Sequence, residues 1–227
     1  MEEISVIYED NHLIAINKPS GWLVQGDETG DATVGDWVKQ YIKIRYNKPG
    51  DVFLGTIHRL DRPVSGVTLF ARTSKALERM NKQFQLRQVQ KTYLAVVNQR
   101  PKEFEETLVH YLTKDTEKNL AKAYTRPQPK SKKAELTYQL RGEVGEHHLL
   151  QIKPLTGRPH QIRVQLAKQG MPIRGDRKYG SKMRNNKRNI HLHAYQLEFV
   201  HPVKKEPVLI QAELPDEQIW RLFEGMV

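Results

Sequence analysis

Cysteine is absent from this sequence of 227 residues. Its absence excludes disulfides, thiolate nucleophiles and every zinc site that uses cysteine ligands. No apolar run approaches the roughly 20 residues that a membrane-spanning helix needs, so we do not expect a membrane protein. The opening segment MEEISVIYED has the pattern of neither a secretory signal nor a transit peptide, and we therefore expect a cytoplasmic protein.

Two phosphate-binding patterns are also missing. The sequence contains neither a Walker loop nor a G-x-G-x-x-G segment, so we expect no nucleotide cofactor.

His191 and His193 share one face of a predicted strand and could begin a metal site. No third histidine with a nearby carboxylate accompanies them, however, and we predict no metal.

Basic residues outnumber acidic ones, with 37 Lys and Arg against 26 Asp and Glu and a formal net charge of +11. Because Lys and Arg neutralise phosphates and release their counterions, this balance favours a nucleic-acid partner. The alternative is a generically basic protein. The charge is spread along the chain, which indicates a broad surface, with local clusters at Lys130, Lys132, Lys133, Lys182, Arg184, Lys187 and Arg188.

Apolar periodicity predicts an α+β fold. A helix capped by Thr33 is expected to bury Val34, Trp37, Val38 and Tyr41, and Asp216 is expected to cap a short C-terminal helix. Further helices are predicted from Ser74 and in the segment that ends at Gly170. Strands are predicted at 4–8, 13–17, 53–60, 66–71, 91–97, 106–112, 134–141, 148–155, 190–200 and 207–213.

No long linker divides the sequence, so we predict one continuous domain over residues 1–227. Residues 26–31 are rich in Gly and Asp and are expected to be irregular. The stretches at 113–133 and 181–189 are the only ones for which flexibility is predicted.

The segment His58–Gly66 places a carboxylate, Asp61, beside cations in a connection between two predicted strands. Neighbouring cations favour an ionised carboxylate, which can act as a nucleophile or a general base. The alternative is an aspartate that only bonds to the backbone of its own turn. A hydrolytic glycosidase would need two cooperating carboxylates, and Asp61 has no acidic neighbour.

Two other segments are candidates for binding. Residues 155–163 form a turn that leads into a donor-rich element, in which Arg158 and His160 could hold a phosphate or pair with an acidic side chain. The alternative is a basic helix face in solvent. Tyr93 shares a strand face with Ala95 and Val97 and could stack on a base, although a tyrosine in this position is also typical of a core.

Taken together, four segments resemble the RluA-type pseudouridine synthases in order and spacing. They are Lys18-Pro19-Ser20-Gly21, the H-R-L-D segment that begins at His58, Lys91-Thr92-Tyr93, and the T-G-R-x-H-Q-I-R to G-D-x-x-Y-G region over residues 156–180. Val64 and Gln165 depart from the usual residues, Thr and His, but they only flank the key positions. Many relatives carry an N-terminal RNA-binding domain of the S4 type, which is not expected here because the motifs begin at Lys18.

The resemblance implies a mixed, largely antiparallel central sheet flanked by helices. It also implies that the protein isomerises uridine to pseudouridine in tRNA or ribosomal RNA, without a cofactor. It implies that Asp61 attacks the ribose C1′ or abstracts a ribose proton, and that Arg163 forms its ion pair. It also implies that Tyr93 packs against the target base, that Leu192 lies opposite it, and that Arg59 fills the place of the flipped uridine. Further RNA contacts are expected from His58, Arg62, Arg158, His160 and Gln161.

Two alternatives remain open at this point. A non-catalytic RNA-binding protein would retain the basic surface without isomerising uridine. A glycosidase or nucleosidase would hydrolyse small nucleosides, which the charge and the single carboxylate disfavour. A monomer without an obligate protein partner is the simplest expectation.

Overall fold

The computed structural model describes residues 4–26, 30–183, 185 and 189–227. Within these residues the chain forms eleven strands and four α-helices, which confirms the predicted α+β class. Their bounds in chain order are β1 Ser5–Glu9, β2 Leu13–Lys18, α1 Val34–Arg45, β3 Gly55–Thr56, β4 Ser65–Ala71, α2 Ser74–Gln85, β5 Gln90–Val97, β6 Glu105–Asp115, β7 Leu120–Tyr124, β8 Lys132–Val144, β9 His147–Pro154, α3 Gln161–Lys168, β10 Leu192–Val200, β11 Pro207–Gln211 and α4 Gln218–Arg221.

The chain divides into two compact units. The first consists of the residues up to Gln90 together with Ala194–Leu214, and the second consists of Lys91–His193 together with Pro215–Val227. The prediction of a single domain stays a prediction. No described helix is long and apolar enough to cross a membrane.

In the first unit the strand order is β1-β2-β4-β10, with β3 on β4 and β11 on β10. The pairs β1-β2, β2-β4, β3-β4 and β10-β11 are antiparallel. All seven residues of β4 are buried, as expected for a central strand covered on both faces. The hydrophobic core of the first unit is formed by side chains from β2, β4, α2, β10 and β11, among them Leu13, Leu69, Met80, Leu197 and Phe199.

Helix α1 begins where the sequence predicts. The Thr33 hydroxyl accepts a hydrogen bond from the Asp36 backbone N–H at 3.1 Å, and the Asp36 carboxylate accepts from the Thr33 N–H at 3.1 Å, which forms a capping box. The buried face is partly different from the predicted one, because Ile42 is buried with Val34 and Val38. Trp37 and Tyr41 are half-buried and stack on each other with ring centroids 5.5 Å apart.

In the second unit the strand order is β5-β9-β8-β6-β7, and every neighbouring pair is antiparallel. Helix α3 contributes Val164 to a small core with Leu112, Ala121 and Ala134, against which Tyr179 packs. Tyr179 belongs to a short 3₁₀ helix, Arg177–Tyr179, that the sequence did not predict.

Three predictions are wrong in detail. The strand expected at 53–60 is only the two-residue β3, and the stretch 113–133 contains the strand β7, which pairs with β6. Asp216 does not cap α4; its carboxylate pairs with Arg221, and Glu217 occupies the cap position without a side-chain cap hydrogen bond. Residues 27–29 of the irregular stretch, and residues 184 and 186–188 of the stretch 181–189, lie outside the described residues.

Candidate functional site

Asp61 lies in the irregular connection between β3 and β4, in the first unit. Ile57, Leu60 and Val64 are buried and anchor this connection, whereas Asp61 is half-buried. The Val64 N–H donates to the Asp61 carbonyl oxygen at 3.0 Å and closes a turn that contains Pro63. The apolar residues that suggested a strand here are therefore anchors of a loop that presents the carboxylate.

Lys18 holds this loop through hydrogen bonds from its buried ammonium group. Its side chain is fully buried, and its Nζ donates to the carbonyl oxygens of Pro19, Trp22 and Arg62 at 3.0, 2.8 and 3.2 Å. Burial lowers the pKa of Lys18 to about 7, and the Asp61 carboxylate partly opposes that shift. Lys18 therefore joins the K-P-S-G segment to the turn that carries Asp61.

Arg62 strengthens the same junction. Its Nε donates to the Gly21 carbonyl oxygen at 2.9 Å, its own carbonyl oxygen accepts from the Gly21 N–H at 2.8 Å, and its Nη2 lies 2.8 Å from the Asp31 carboxylate. The exposed Arg62 side chain thus has bonds within the protein in addition to the RNA contact predicted for it.

His58 and Arg59 differ in their surroundings. The Nε2 of His58 accepts from the Leu69 N–H at 3.1 Å, and its ring stacks on Phe84 with centroids 5.4 Å apart. These contacts orient the imidazole against β4 and α2. Arg59, in contrast, is exposed.

In the second unit, the turn before α3 is held by the buried side chain of Gln161. Its Oε1 accepts from the Thr156 hydroxyl at 2.7 Å and from the Arg158 N–H at 2.9 Å, and its Nε2 donates to the Glu135 carbonyl oxygen at 3.0 Å. Arg158 also donates from Nε to the Lys133 carbonyl oxygen at 3.1 Å. These bonds explain why the T-G-R-x-H-Q segment folds as a turn that is held by its own side chains.

Arg163 lies on α3 and is only 5% exposed. Its Nε and Nη2 bind the two carboxylate oxygens of Asp176 at 2.6 and 2.9 Å, and Asp176 is 1% exposed. The guanidinium carbon also lies 5.1 Å from the centroid of the Tyr179 ring. A bidentate pair of this kind is the strong form of the interaction between arginine and a carboxylate.

Tyr93 and Leu192 are also in the second unit. Tyr93 is half-buried in β5, opposite Ile152 of β9, while its neighbours Thr92 and Leu94 are buried. Leu192 is buried at the start of β10. The predicted roles of both residues toward the target base stay predictions.

His191 and His193 take part in a buried polar cluster near the C-terminal segment. The Nε2 of His191 lies 3.2 Å from the Glu217 carboxylate, and both imidazole rings pack against Trp220. In the described part of the chain no group of three or more His, Asp or Glu side chains could hold a metal ion.

The structure brings together some of the predicted residues within each unit. The first unit holds His58, Arg59, Asp61 and Arg62, and the second holds Tyr93, Arg158, His160, Gln161, Arg163 and Leu192. Sequence reasoning missed Lys18, Asp176 and Tyr179 as individual residues. A signal for Asp176 was available, since it is the only carboxylate between residues 156 and 180 in a segment rich in Arg and Lys.

One departure from the family pattern is accommodated in the core. Gln165 is fully buried, and its Nε2 donates to the Leu108 carbonyl oxygen at 3.1 Å and contacts Nδ1 of His110 at 3.1 Å. Gln165 therefore joins α3 to β6.

Residues 12–168 match the family described as RNA pseudouridylate synthase, and the matched range includes Asp61, Tyr93 and Arg163. The chain belongs to this family, and the resemblance to its RluA type is confirmed.

Curated relatives match over most of this chain. It is 34% identical to tRNA pseudouridine synthase C of Yersinia pestis, covering 92% of this chain and 86% of that protein. It is 32% identical to ribosomal large subunit pseudouridine synthase C of Vibrio vulnificus, covering 97% of this chain and 69% of that protein. With tRNA pseudouridine synthase C of Pectobacterium carotovorum the identity is 33%, and the chain spans only 58% of that relative's length.

Two solved human structures share the fold. RNA pseudouridylate synthase domain containing 4 superposes with a TM-score of 0.79 at 23% identity, covering 98% of this chain and 92% of that one. RNA pseudouridylate synthase domain containing 1 gives 0.71 at 22% identity, covering 99% and 95%.

Proposed function

We propose that this chain is an RNA pseudouridine synthase that isomerises selected uridines in tRNA, ribosomal RNA or both. The observation that carries the proposal is the family match over residues 12–168, which contains Asp61 within its H-R-L-D segment. The relatives' names support both RNA classes, because they include tRNA and ribosomal large subunit enzymes. The net charge of +11 supports a polyanionic substrate.

The reaction rearranges atoms that the substrate already contains. The bond between N1 of uracil and C1′ of ribose breaks, the base turns, a bond forms between C5 and C1′, and the proton on C5 is lost while N1 gains one. Because no net oxidation or reduction occurs, the proposed reaction needs no cofactor. Asp61 either attacks C1′ or removes a ribose proton, and both routes require its ionised form.

The other site residues have supporting roles in this proposal. Arg163 supplies the positive charge that pairs with the Asp61 carboxylate, and the half-buried Tyr93 packs on the target base. A uridine in folded RNA must be flipped out at a cost of a few kcal/mol. The exposed Arg59 would stack in the vacated place, which suits its planar cation.

The basic residues around these side chains would hold the RNA backbone. Contacts are proposed from His58, Arg62, Arg158, His160 and Gln161, the last through the turn that it shapes. We further propose that the protein acts in the cytoplasm as a monomer that needs no protein partner.

The test measures tritium release from RNA labelled at uridine C5. Wild type, Asp61→Asn and the control Asp51→Asn, which changes an exposed aspartate, are incubated with total tRNA and with ribosomal RNA from cells that lack the activity. We expect release by wild type and by the control, and none by Asp61→Asn. If wild type binds both RNAs but releases no label, the protein is an RNA-binding protein and the proposal fails.

A further inference from the structure

The orientation of the Arg163 guanidinium is set by Asp176. Both partners are buried, and a buried charge is stable only when it is paired and hydrogen-bonded. Asp176 binds the edge of the guanidinium formed by Nε and Nη2, at 2.6 and 2.9 Å. Because the guanidinium is planar, this two-point contact defines the direction of its Nη1 edge as well.

The ring of Tyr179 lies against the same guanidinium group. The guanidinium carbon lies 5.1 Å from its ring centroid. The ring is held at its far end, where the hydroxyl oxygen accepts from the Ala121 N–H at 2.9 Å and contacts Nδ1 of His160 at 2.7 Å. A ring whose hydroxyl is held by two partners keeps its face toward the cation.

The backbone of Asp176 is itself held by hydrogen bonds within its turn. The Asp176 N–H donates to the Ile173 carbonyl oxygen at 2.9 Å, and its carbonyl oxygen accepts from the N–H groups of Tyr179 and Ser181 at 3.1 and 3.0 Å. The preceding Gly175 has φ +86°, and a Cβ there would lie 2.8 Å from the Asn189 carbonyl oxygen. The turn therefore has little freedom to shift.

We propose that Asp176 and Tyr179 are positioning residues, which hold the Arg163 guanidinium in the orientation that pairs it with the catalytic carboxylate. The proposal rests on the function proposed above for Asp61 and Arg163. Asp176 and Tyr179 do not touch the reacting atoms and act only through Arg163. Removing either should slow the chemical step without weakening RNA binding.

A double-mutant cycle separates this role from a structural one. Single-turnover tritium release and RNA affinity are measured for wild type, Asp176→Asn, Arg163→Met and the double variant. We expect Asp176→Asn to slow release about 100-fold, with RNA affinity within about threefold of wild type. In the Arg163→Met background the same change should cost less than about threefold, because the residue through which Asp176 acts is already gone.

The control is Glu217→Gln, which alters another largely buried carboxylate of the second unit, paired with His191. It should leave the release rate near that of wild type. If Asp176→Asn slows release equally with and without Arg163, or not at all, the positioning role is overturned while the proposed function stands. If wild type itself releases no label, both fail together.

Tyr179 provides a second test if Asp176→Asn does not fold. Tyr179→Phe loses the hydroxyl contacts but retains a ring that can lie over the guanidinium, whereas Tyr179→Leu removes the ring as well. We expect Tyr179→Leu to be slower than Tyr179→Phe by at least about tenfold at unchanged RNA affinity. Equal rates for the two variants would overturn the role of the ring.

Discussion

Gly66 lies so close to Ala194 that a Cβ on Gly66 would be 2.2 Å from the Ala194 carbonyl oxygen. Its φ of +113° is also outside the range that residues with side chains adopt. The glycine that ends the segment around Asp61 therefore allows β4 and β10 to lie side by side in the first unit.

Gly66→Ala should strongly destabilise the protein. The clash is with backbone, which cannot move aside, and the unfavourable φ adds to it, so we expect a loss of about 3 kcal/mol or more in the free energy of unfolding. Urea denaturation measures this loss. The control is Gly145→Ala, where φ is +58° and no atom lies within 4 Å of the added Cβ; it should lose only about 1 kcal/mol. Equal losses for the two variants would contradict the steric explanation.

Lys18 should make stability depend on pH above neutrality. Burial lowers its pKa from 10.5 to about 7 in the folded protein. Between these values the unfolded chain binds more protons than the folded one, so the free energy of unfolding rises with pH across this window. We expect the difference in unfolding free energy between wild type and Lys18→Met to shift in favour of wild type from pH 7 to pH 9.5.

The matched control for Lys18 is the exposed Lys75 on α2. Chemical denaturation at pH 6.5, 8 and 9.5 should show a constant difference between wild type and Lys75→Met. If the difference in unfolding free energy between wild type and Lys18→Met is equally constant over this pH range, burial does not lower the pKa of Lys18.

Arg163→Lys should slow turnover about 100-fold or more. Lysine cannot reproduce the two-point contact with Asp176 or stack its planar cation over Tyr179. Single-turnover tritium release measures the effect. Arg100 makes a similar contact with Glu143, at 2.8 and 3.2 Å, but is exposed. Arg100→Lys should therefore be as active as wild type, and near-wild-type turnover of Arg163→Lys would contradict the assignment.

Asp10 should stabilise the fold down to low pH. Burial would raise its pKa, but hydrogen bonds from the His12 and Leu13 N–H groups and the Tyr8 hydroxyl, with the charge of His201, outweigh burial and hold the pKa at about 2. A carboxylate with a depressed pKa contributes stability above its unfolded pKa of 3.8 and loses it as pH falls toward 2.

We expect Asp10→Asn to lose about 1 to 2 kcal/mol of unfolding free energy at pH 7, after allowance for solvent screening. The loss should shrink between pH 4 and pH 2. Thermal or urea unfolding over this range measures the loss. The control is Asp216→Asn, which alters an exposed pair with Arg221 and should change the free energy of unfolding little at any pH. A loss that is independent of pH would contradict the role of the charge.

Local features of the fold could be predicted from the sequence. The capping box at Thr33 needs only residues three positions apart, and the alternating strands carry their own pattern. The conformation of residues 57–60 could not be predicted in the same way. Ile57 and Leu60 have the pattern of a strand, but they are buried as anchors of the connection that the sequence predicts from residue 61, where the bond from Val64 to Asp61 closes a turn.

The candidate site was predicted by motif, and its supporting contacts were not. The sequence gives no distance between Arg163 and Asp176, because their pairing depends on a 3₁₀ turn and on the fold of the chain around Gly175. Gln161 shows the same limit. The resemblance implied an RNA contact for it, and nothing in the sequence indicated that its side chain also bonds to the Glu135 carbonyl oxygen on a distant strand.

The first unit is completed by a segment that follows most of the second unit in the chain. Strand β10 lies beside β4, although more than 100 residues separate them in sequence. During synthesis, which proceeds from the N-terminus, β4 therefore emerges long before this neighbour. Until then the backbone groups of residues 65–69 on that side form an open edge, because β3 pairs only with Phe70 and Ala71. An open edge can pair with other chains. A chain truncated within residues 91–193 would thus be prone to aggregation.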